Sequence, residues 1–262
     1  MSVRRMIGRR WTSLLLGVPA LAGAQPLDLT RYRLVDLTHE VSERGPAWPG
    51  SRAPFKLDTL TATPTTAMFR LQLNEHFGTH LDAPRHAAGT GWTNEQIPLD
   101  RLVAPVVVID VAAQATRNAD YALTPADIAA HEARHGRIPP GAAVLLRTGW
   151  ARHWGNDPRY FGAVADGART VLHFPSFGVE AARLLATERR VALLGVDSPS
   201  TDIGSAPSFA VHAILGQANV PALENLADLS SLPATGATLL ALPIKTAGGS
   251  GGPVRVVALV PR

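Results

Sequence analysis

Three of the nine histidines and one aspartate fall within eleven residues, in the run His76-Phe-Gly-Thr-His80-Leu-Asp82-Ala-Pro-Arg-His86. Positions 76, 80, 82 and 86 share parity, so an extended segment would point all four side chains one way. His76 and His80 are also four apart, and one helical turn would pair them too. Gly78 and Pro84 argue against a long regular element, so the spacing leaves both geometries open. Either one lets two imidazoles and a carboxylate converge on a divalent ion such as zinc or manganese. The chain has no cysteine. That excludes disulfides, iron–sulfur clusters and thiol nucleophiles, and leaves histidine, carboxylate, amide or water to hold any metal.

The elements that must position these groups are legible as hydrophobic patterns. Strands are predicted over residues 31–37, 55–60, 68–73 and 105–111, the last a β-branched run (PVVVIDV) suited to burial on both faces. Further strands are predicted over 142–147, 191–196, 238–242 and 254–260. Helices are expected over 124–135, where Thr124 precedes Pro125 as a cap, over 179–187 and over 208–215. Alternation of helices with buried strands predicts an α/β domain with mixed pairing. Residues 150–172 read as an irregular functional loop. The glycine-rich 248–252 lacks the Lys-Ser/Thr ending of a phosphate loop and reads as a turn between closing strands. His131, His135 and His153 are expected to be solvated.

Of 262 residues, 46% are hydrophobic and 18% charged, values typical of a globular chain. The net charge of +4 is concentrated at the start. Four of the 25 basic residues (Arg4, Arg5, Arg9, Arg10) lie in the first ten, and no acid precedes Asp28. The remainder carries 21 charges of each sign, which gives no electrostatic footprint for nucleic acid. A basic start, an apolar run and the small residues Ala22-Gly23-Ala24 predict a signal peptide over 1–24, with Arg9-Arg10 hinting at twin-arginine export. The mature part, 25–262, is then a single periplasmic or secreted domain. The apolar run is too short to anchor it in a membrane.

The histidine-rich run resembles the signature H-x-G-T-H-x-D-x-P-x-H of the cyclase family of metal-dependent hydrolases, which includes bacterial kynurenine formamidases and isatin hydrolases. His76, Gly78, Thr79, His80, Asp82, Pro84 and His86 fill every specified position. Thr201-Asp202, Pro207, His212, Leu215-Gly216 and Glu224-Asn225-Leu226 resemble the family's second block. The resemblance implies a swivelling β/β/α architecture, assembled as a homodimer or tetramer. It implies one metal on His76, His80 and Asp82, and a second on Asp82, His212 and Glu224, with one or two Zn2+ or Mn2+ ions per chain. His86 is then the catalytic histidine, passing a proton from water to the leaving nitrogen. Trp48, Phe77 and Trp92 are candidate walls of the substrate pocket. Asp197 and Asp202 match an acidic loop of the family and could be structural.

The reaction implied is hydrolysis of a carbon–nitrogen amide bond in a small aromatic or cyclic molecule, an aryl formamide such as N-formylkynurenine or a ring amide such as isatin. The same chemistry would open a lactone or ester. A periplasmic metal- or ligand-binding protein would keep the ligands but would have no use for His86.

Overall fold

The β-branched runs form the centre of one mixed sheet. The computed structural model describes residues 28–51, 55–166 and 169–262; the expected leader, 1–24, lies outside them. Its strands are β1 (Tyr32–Asp36), β2 (Phe55–Ala62), β3 (Ala67–Leu73), β4 (His80–Asp82), β5 (Val103–Asp110), β6 (Ala122–Leu123), β7 (Ala143–Arg147), β8 (Val164–Asp166), β9 (Arg169–Val171), β10 (Ser176–Phe177), β11 (Leu193–Val196), β12 (Ala222–Glu224), β13 (Thr235–Pro243) and β14 (Gly251–Pro261). The helices are α1 (Leu99–Leu102), α2 (Ala112–Arg117), α3 (Pro125–His135), α4 (Asp157–Phe161), α5 (Val179–Arg183) and α6 (Ala210–Gln217). Among the described residues no helix is long and apolar enough to cross a membrane.

Eight strands pair in the order β1-β14-β13-β5-β7-β11-β12-β4. β5, β7, β11 and β12 run parallel, and β1, β4 and β13 pair antiparallel with their neighbours. The strand β14 has a second use. Its first residues, Gly251 to Pro253, pair with β4, while the rest pairs with β13 and β1. The sheet therefore closes on itself through β14. Gly251 is required at that seam, because a Cβ there would lie 2.5 Å from the Leu81 carbonyl oxygen and 2.8 Å from His76 Cε1. The expected turn before β14 is present, but Gly251 and Gly252 belong to the strand.

Alternation along each strand sorts side chains into two cores. Val106, Leu145, Leu193, Leu223, Leu239 and Val256 point into the closed sheet. Val107, Val144, Leu146 and Leu194 point outward against Ile128 of α3, Ala182 of α5 and Leu215 of α6. Each fully buried aliphatic side chain stabilises the fold by about 1.5–3 kcal/mol before entropy is subtracted. α3 starts as its sequence requires. Thr124 and Asp127 exchange hydrogen bonds in a capping box, and Pro125 occupies the first turn.

Three expectations are corrected. The described residues of 150–172 are structured: a 3-10 turn at Trp150–His153, then α4, then the β8–β9 pair. The reason is an apolar cluster of its own, in which Trp150, Tyr160, Phe161 and Phe174 pack together. The helix begun by α5 continues as a π-helix over Leu184–Arg189, beyond the expected end at 187. His131 is buried rather than solvated, because it lies one turn from Ile128 on the inward face of α3.

Candidate metal centre

The site forms where the short strand β4 is held between β12 and β14. His80 stands directly opposite Glu224 in the antiparallel register of β4 and β12. The alternation that buries Leu81 and Leu223 in the inner core turns His80, Asp82 and Glu224 to the other face. The shared parity read from the sequence thus holds for His80 and Asp82, which are in a strand. His86 follows in the 3-10 turn Pro84–His86. That turn is pressed against α6: a Cβ at Gly216 would lie 2.9 Å from the Pro84 carbonyl oxygen. The same helix carries His212, so Gly216 sets how closely His86 and His212 can approach.

Asp82 is the meeting point. Its Oδ1 lies 2.6 Å from His76 Nδ1 and 3.3 Å from His80 Nε2, and its Oδ2 lies 3.3 Å from His212 Nε2. Glu224 joins from the other side, at 3.5 Å from His80 Nε2 and 3.2 Å from His212 Nε2. Ligand atoms of His76, His80 and Asp82 all lie within 4.8 Å of one another, as do those of Asp82, His86 and His212. The two sets share Asp82. His86, expected beside the ions, is therefore also within reach of them. Its ring centroid is 3.9 Å from that of His76 and 5.7 Å from that of His212.

These residues fit a divalent cation. Asp82 Oδ2 is buried without a well-aligned hydrogen bond, despite the nearby His212 nitrogen. An unsatisfied buried carboxylate oxygen is costly unless something else binds it. The donors are imidazole nitrogen and carboxylate oxygen, the set that zinc and manganese accept. Burial would lower the pKa of His80, but Asp82 and Glu224 raise it to about 9. His212 follows the same logic: burial opposes its charge, while Asp202, Asp82 and Glu224 hold it well above the ordinary value. For Asp82 burial raises the pKa, and the imidazoles of His212, His76 and His80 overcome it and hold the carboxyl well below its usual range. Without a cation, protons on the histidines offset the carboxylates; a metal would take the place of those protons. His86 is shifted the other way, lowered mainly by burial.

A further carboxylate orients His212. Asp202 accepts hydrogen bonds from His212 Nδ1 at 2.6 Å and from the backbone N–H groups of Val211 and His212 at 2.8 and 3.1 Å. A carboxylate can only accept, so the proton sits on Nδ1 and Nε2 faces Asp82 and Glu224. Carboxylates in this position raise ligand basicity, and losing one costs about 10–100-fold in metal affinity. Asp202→Asn should weaken binding by that factor in a competition titration against a chromophoric chelator; unchanged affinity would leave Asp202 as a helix-capping residue only. His80 is oriented by the backbone, its Nδ1 lying 2.9 Å from the Gly78 carbonyl. Asn225 donates to the same carbonyl, and Tyr160 donates to the Asn225 side-chain oxygen at 2.7 Å. The sequence carried no local signal for these supports, since Tyr160 and Asn225 are 65 residues apart. Asp197 plays no part in the cluster. It is wholly buried, ties Thr148 and Gly149 to the end of β11, and is pushed up to about 6 by burial.

The cluster forms the floor of a cavity of about 530 Å3. Trp48, Phe77, Phe161 and Phe209 wall it, with His86 and His212 below. Trp48 and Phe77 are thus among its walls. Trp92 is not: it packs on the inner core beside Arg101, whose guanidinium lies 5.8 Å from its ring centroid. Phe161 and Phe209 were not foreseen, because they come from α4 and from the residue before α6. Among the described residues that line the cavity there is no lysine or arginine.

Comparisons with known proteins agree with this geometry. The Cyclase family model ("Putative cyclase") matches residues 35–203. An isatin hydrolase of Roseibium aggregatum is 37% identical over 198 residues, 72% of this chain and 73% of that protein. A kynurenine formamidase of Salinibacter ruber is 28% identical over 229 residues, 86% of this chain and 96% of that protein. Among solved structures, isatin hydrolase A from Labrenzia aggregata bound to benzyl benzoate superimposes with a TM-score of 0.82 at 37% identity. That match covers 89% of this chain and 95% of the other.

Proposed function

The chain belongs to the cyclase family, and on that premise we propose that it opens a neutral cyclic amide of the isatin class by metal-dependent hydrolysis. The coarser activity, metal-dependent cleavage of an amide C–N bond, is common to the isatin hydrolase and kynurenine formamidase readings. The observation that favours the ring amide is the cavity lining. Trp48, Phe77, Phe161 and Phe209 line it with aromatic rings. A planar bicyclic amide suits such walls.

In this reading His76, His80, Asp82, His212 and Glu224 hold one or two divalent ions, zinc or manganese. A divalent ion so held supplies a water of lowered pKa and an electrophile for the carbonyl oxygen. The aromatic walls hold the ring over the cluster and exclude bulk water. His86, at the edge of the cluster, takes a proton from the attacking water and returns it to the ring nitrogen as the C–N bond breaks. The water oxygen ends in the new carboxylate, the nitrogen ends as an amine, and one proton is released. The basic, then apolar, start of the sequence supports a periplasmic or secreted location.

The test is hydrolysis of isatin and of N-formylkynurenine by purified protein, with zinc and with manganese, before and after chelation. Chelator-sensitive opening of isatin, at least tenfold faster by kcat/KM than N-formylkynurenine, is expected. Preference for the formamide would replace the substrate class, and failure to bind metal would overturn the site.

A further inference from the structure

Which ring nitrogen of a histidine carries the proton decides which one is left for a metal, and the partner of the outer nitrogen sets that choice. Around Asp82 the three close imidazoles are not held alike. His80 has the Gly78 carbonyl on its Nδ1 and His212 has Asp202 on its Nδ1, so each turns Nε2 inward. His76 is turned the other way. Its Nδ1 meets Asp82 Oδ1 at 2.6 Å, and its Nε2 lies 2.9 Å from Ser250 Oγ. It also has the least support from its own backbone. His80 and Asp82 belong to β4, with side chains 4% and 6% exposed, whereas His76 sits in the turn before that strand and is 28% exposed.

A further acid completes the contact. Ser250 Oγ donates to Glu75 Oε2 at 2.6 Å, and the Ser250 backbone N–H donates to the same oxygen at 3.1 Å. A serine hydroxyl has one proton, and a carboxylate can only accept. With that proton committed to Glu75, the hydroxyl oxygen has only lone pairs to offer, so His76 Nε2 is the donor between them. The neutral ring then carries its proton on Nε2 and keeps the Nδ1 lone pair for an ion beside Asp82. The carboxylate on the far side also polarises the hydroxyl, which strengthens the bond from Nε2. The loop that carries Ser250 is pinned in turn. The Ser250 carbonyl accepts from the Ala83 N–H at 2.9 Å, next to Asp82, and the Gly249 carbonyl accepts from the Asn94 N–H at 2.9 Å. The Asn94 side chain holds the start of the same loop, donating to the Ile244 carbonyl and to Thr246 Oγ1. Gly249 lets the loop close on the acid, since a Cβ there would lie 2.6 Å from Glu75 Oε1.

We propose that Glu75 and Ser250 are positioning residues that fix the tautomer of His76 and so make its Nδ1 a metal ligand, an inference that rests on the reading of the cluster as a divalent-metal site. Both act through His76. The same contact reaches one residue further. The His76 ring lies against that of His86, with centroids 3.9 Å apart and planes 33° from parallel. Holding His76 at Nε2 therefore also fixes the surface on which the proton-carrying imidazole rests. The three metal-facing histidines are thus oriented by three different partners: a backbone carbonyl for His80, a carboxylate directly for His212, and a carboxylate through a hydroxyl for His76.

Zinc titration of the full chain against a chromophoric chelator tests this without any substrate. Ser250→Ala should bind zinc about 10–100-fold more weakly than the wild type, the range for losing an outer partner of a metal-bound histidine. Ser250→Thr, which keeps the hydroxyl, should recover most of that affinity. The tautomer supplies a readout that packing alone would not move. In the zinc-loaded wild type, heteronuclear NMR of the histidine rings should show His76 bound through Nδ1 with a protected proton on Nε2, and in Ser250→Ala that proton should be lost to exchange with water. Equal zinc affinity in the wild type and Ser250→Ala overturns the relay and leaves the metal site standing. A wild type that binds no zinc overturns the metal site and the relay with it. Should Ser250→Ala fail to fold, the wild-type ring spectrum decides: His76 bound through Nε2, or not bound at all, overturns the proposal.

Discussion

Asp82→Ala should abolish metal binding and, with it, turnover. The two candidate ligand sets intersect only at this residue, which lies within 3.3 Å of nitrogens from His76, His80 and His212. No other carboxylate can take its place. Glu224 reaches His80 and His212, and Asp202 is committed to His212 Nδ1 and two backbone donors. Loss of a group that lowers the pKa of water by about eight units should cost at least ~10³ in kcat. The effect is also visible without substrate. A ligand present at about 100 times its Kd stabilises the folded state by roughly 2.7 kcal/mol. For a chain of this size that is a rise in Tm of about 5–11 °C. Added zinc or manganese should raise the wild-type Tm by that amount and leave Asp82→Ala unmoved. The shift is the proper readout, because removing Asp82 also alters the balance of buried charge in the metal-free state. Unchanged metal content by elemental analysis would refute the assignment.

What could be read beforehand follows the range of the interactions involved. β5 and β11 were legible because PVVVIDV and VALLGV are continuous apolar runs, and burial on both faces is their only favourable state. The start of α3 was legible because its cap lies within four residues. The metal cluster was half legible: His76, His80 and Asp82 are neighbours in sequence, strand parity puts His80 and Asp82 on one face, and the turn before β4 brings in His76. His212 and Glu224 come from α6 and β12, and only the family pattern joined them to the first block. Closure of the sheet through β14 could not be read, since one strand serves three partners, about 170 residues away in the case of β4. Trp92 was misplaced for a related reason. A tryptophan six residues past His86 can face the cavity or the core, and Arg101 and the inner cluster take it to the core. The alternation in β2 and β3 announced strands but not their exposure, because a pattern of apolar and polar residues does not say whether the apolar side meets its own chain.

His86→Asn should keep the metal and lose turnover by about 10²–10⁴-fold, the span expected when a positioned acid–base group is removed. The geometry gives two roles to separate. His86 belongs to a possible ligand set with Asp82 and His212, yet it is more exposed than either and sits in a turn rather than in the strand that fixes His80 and Asp82. Burial lowers its pKa while His80 and His212 are raised by the carboxylates around them. With the other three imidazoles engaged by Asp82 and Glu224, it is the one free to accept a proton. Asparagine keeps a polar side chain at the site but cannot carry a proton, so an effect on kcat at unchanged metal content isolates the transfer. Added imidazole, which can enter an open cavity, should restore part of the rate. Loss of metal in the variant would make His86 a ligand, and full activity would remove it from the reaction. The same measurement addresses the non-catalytic alternative: a protein that only binds metal or ligand gains nothing from a proton carrier at this position, and its properties would be indifferent to the substitution.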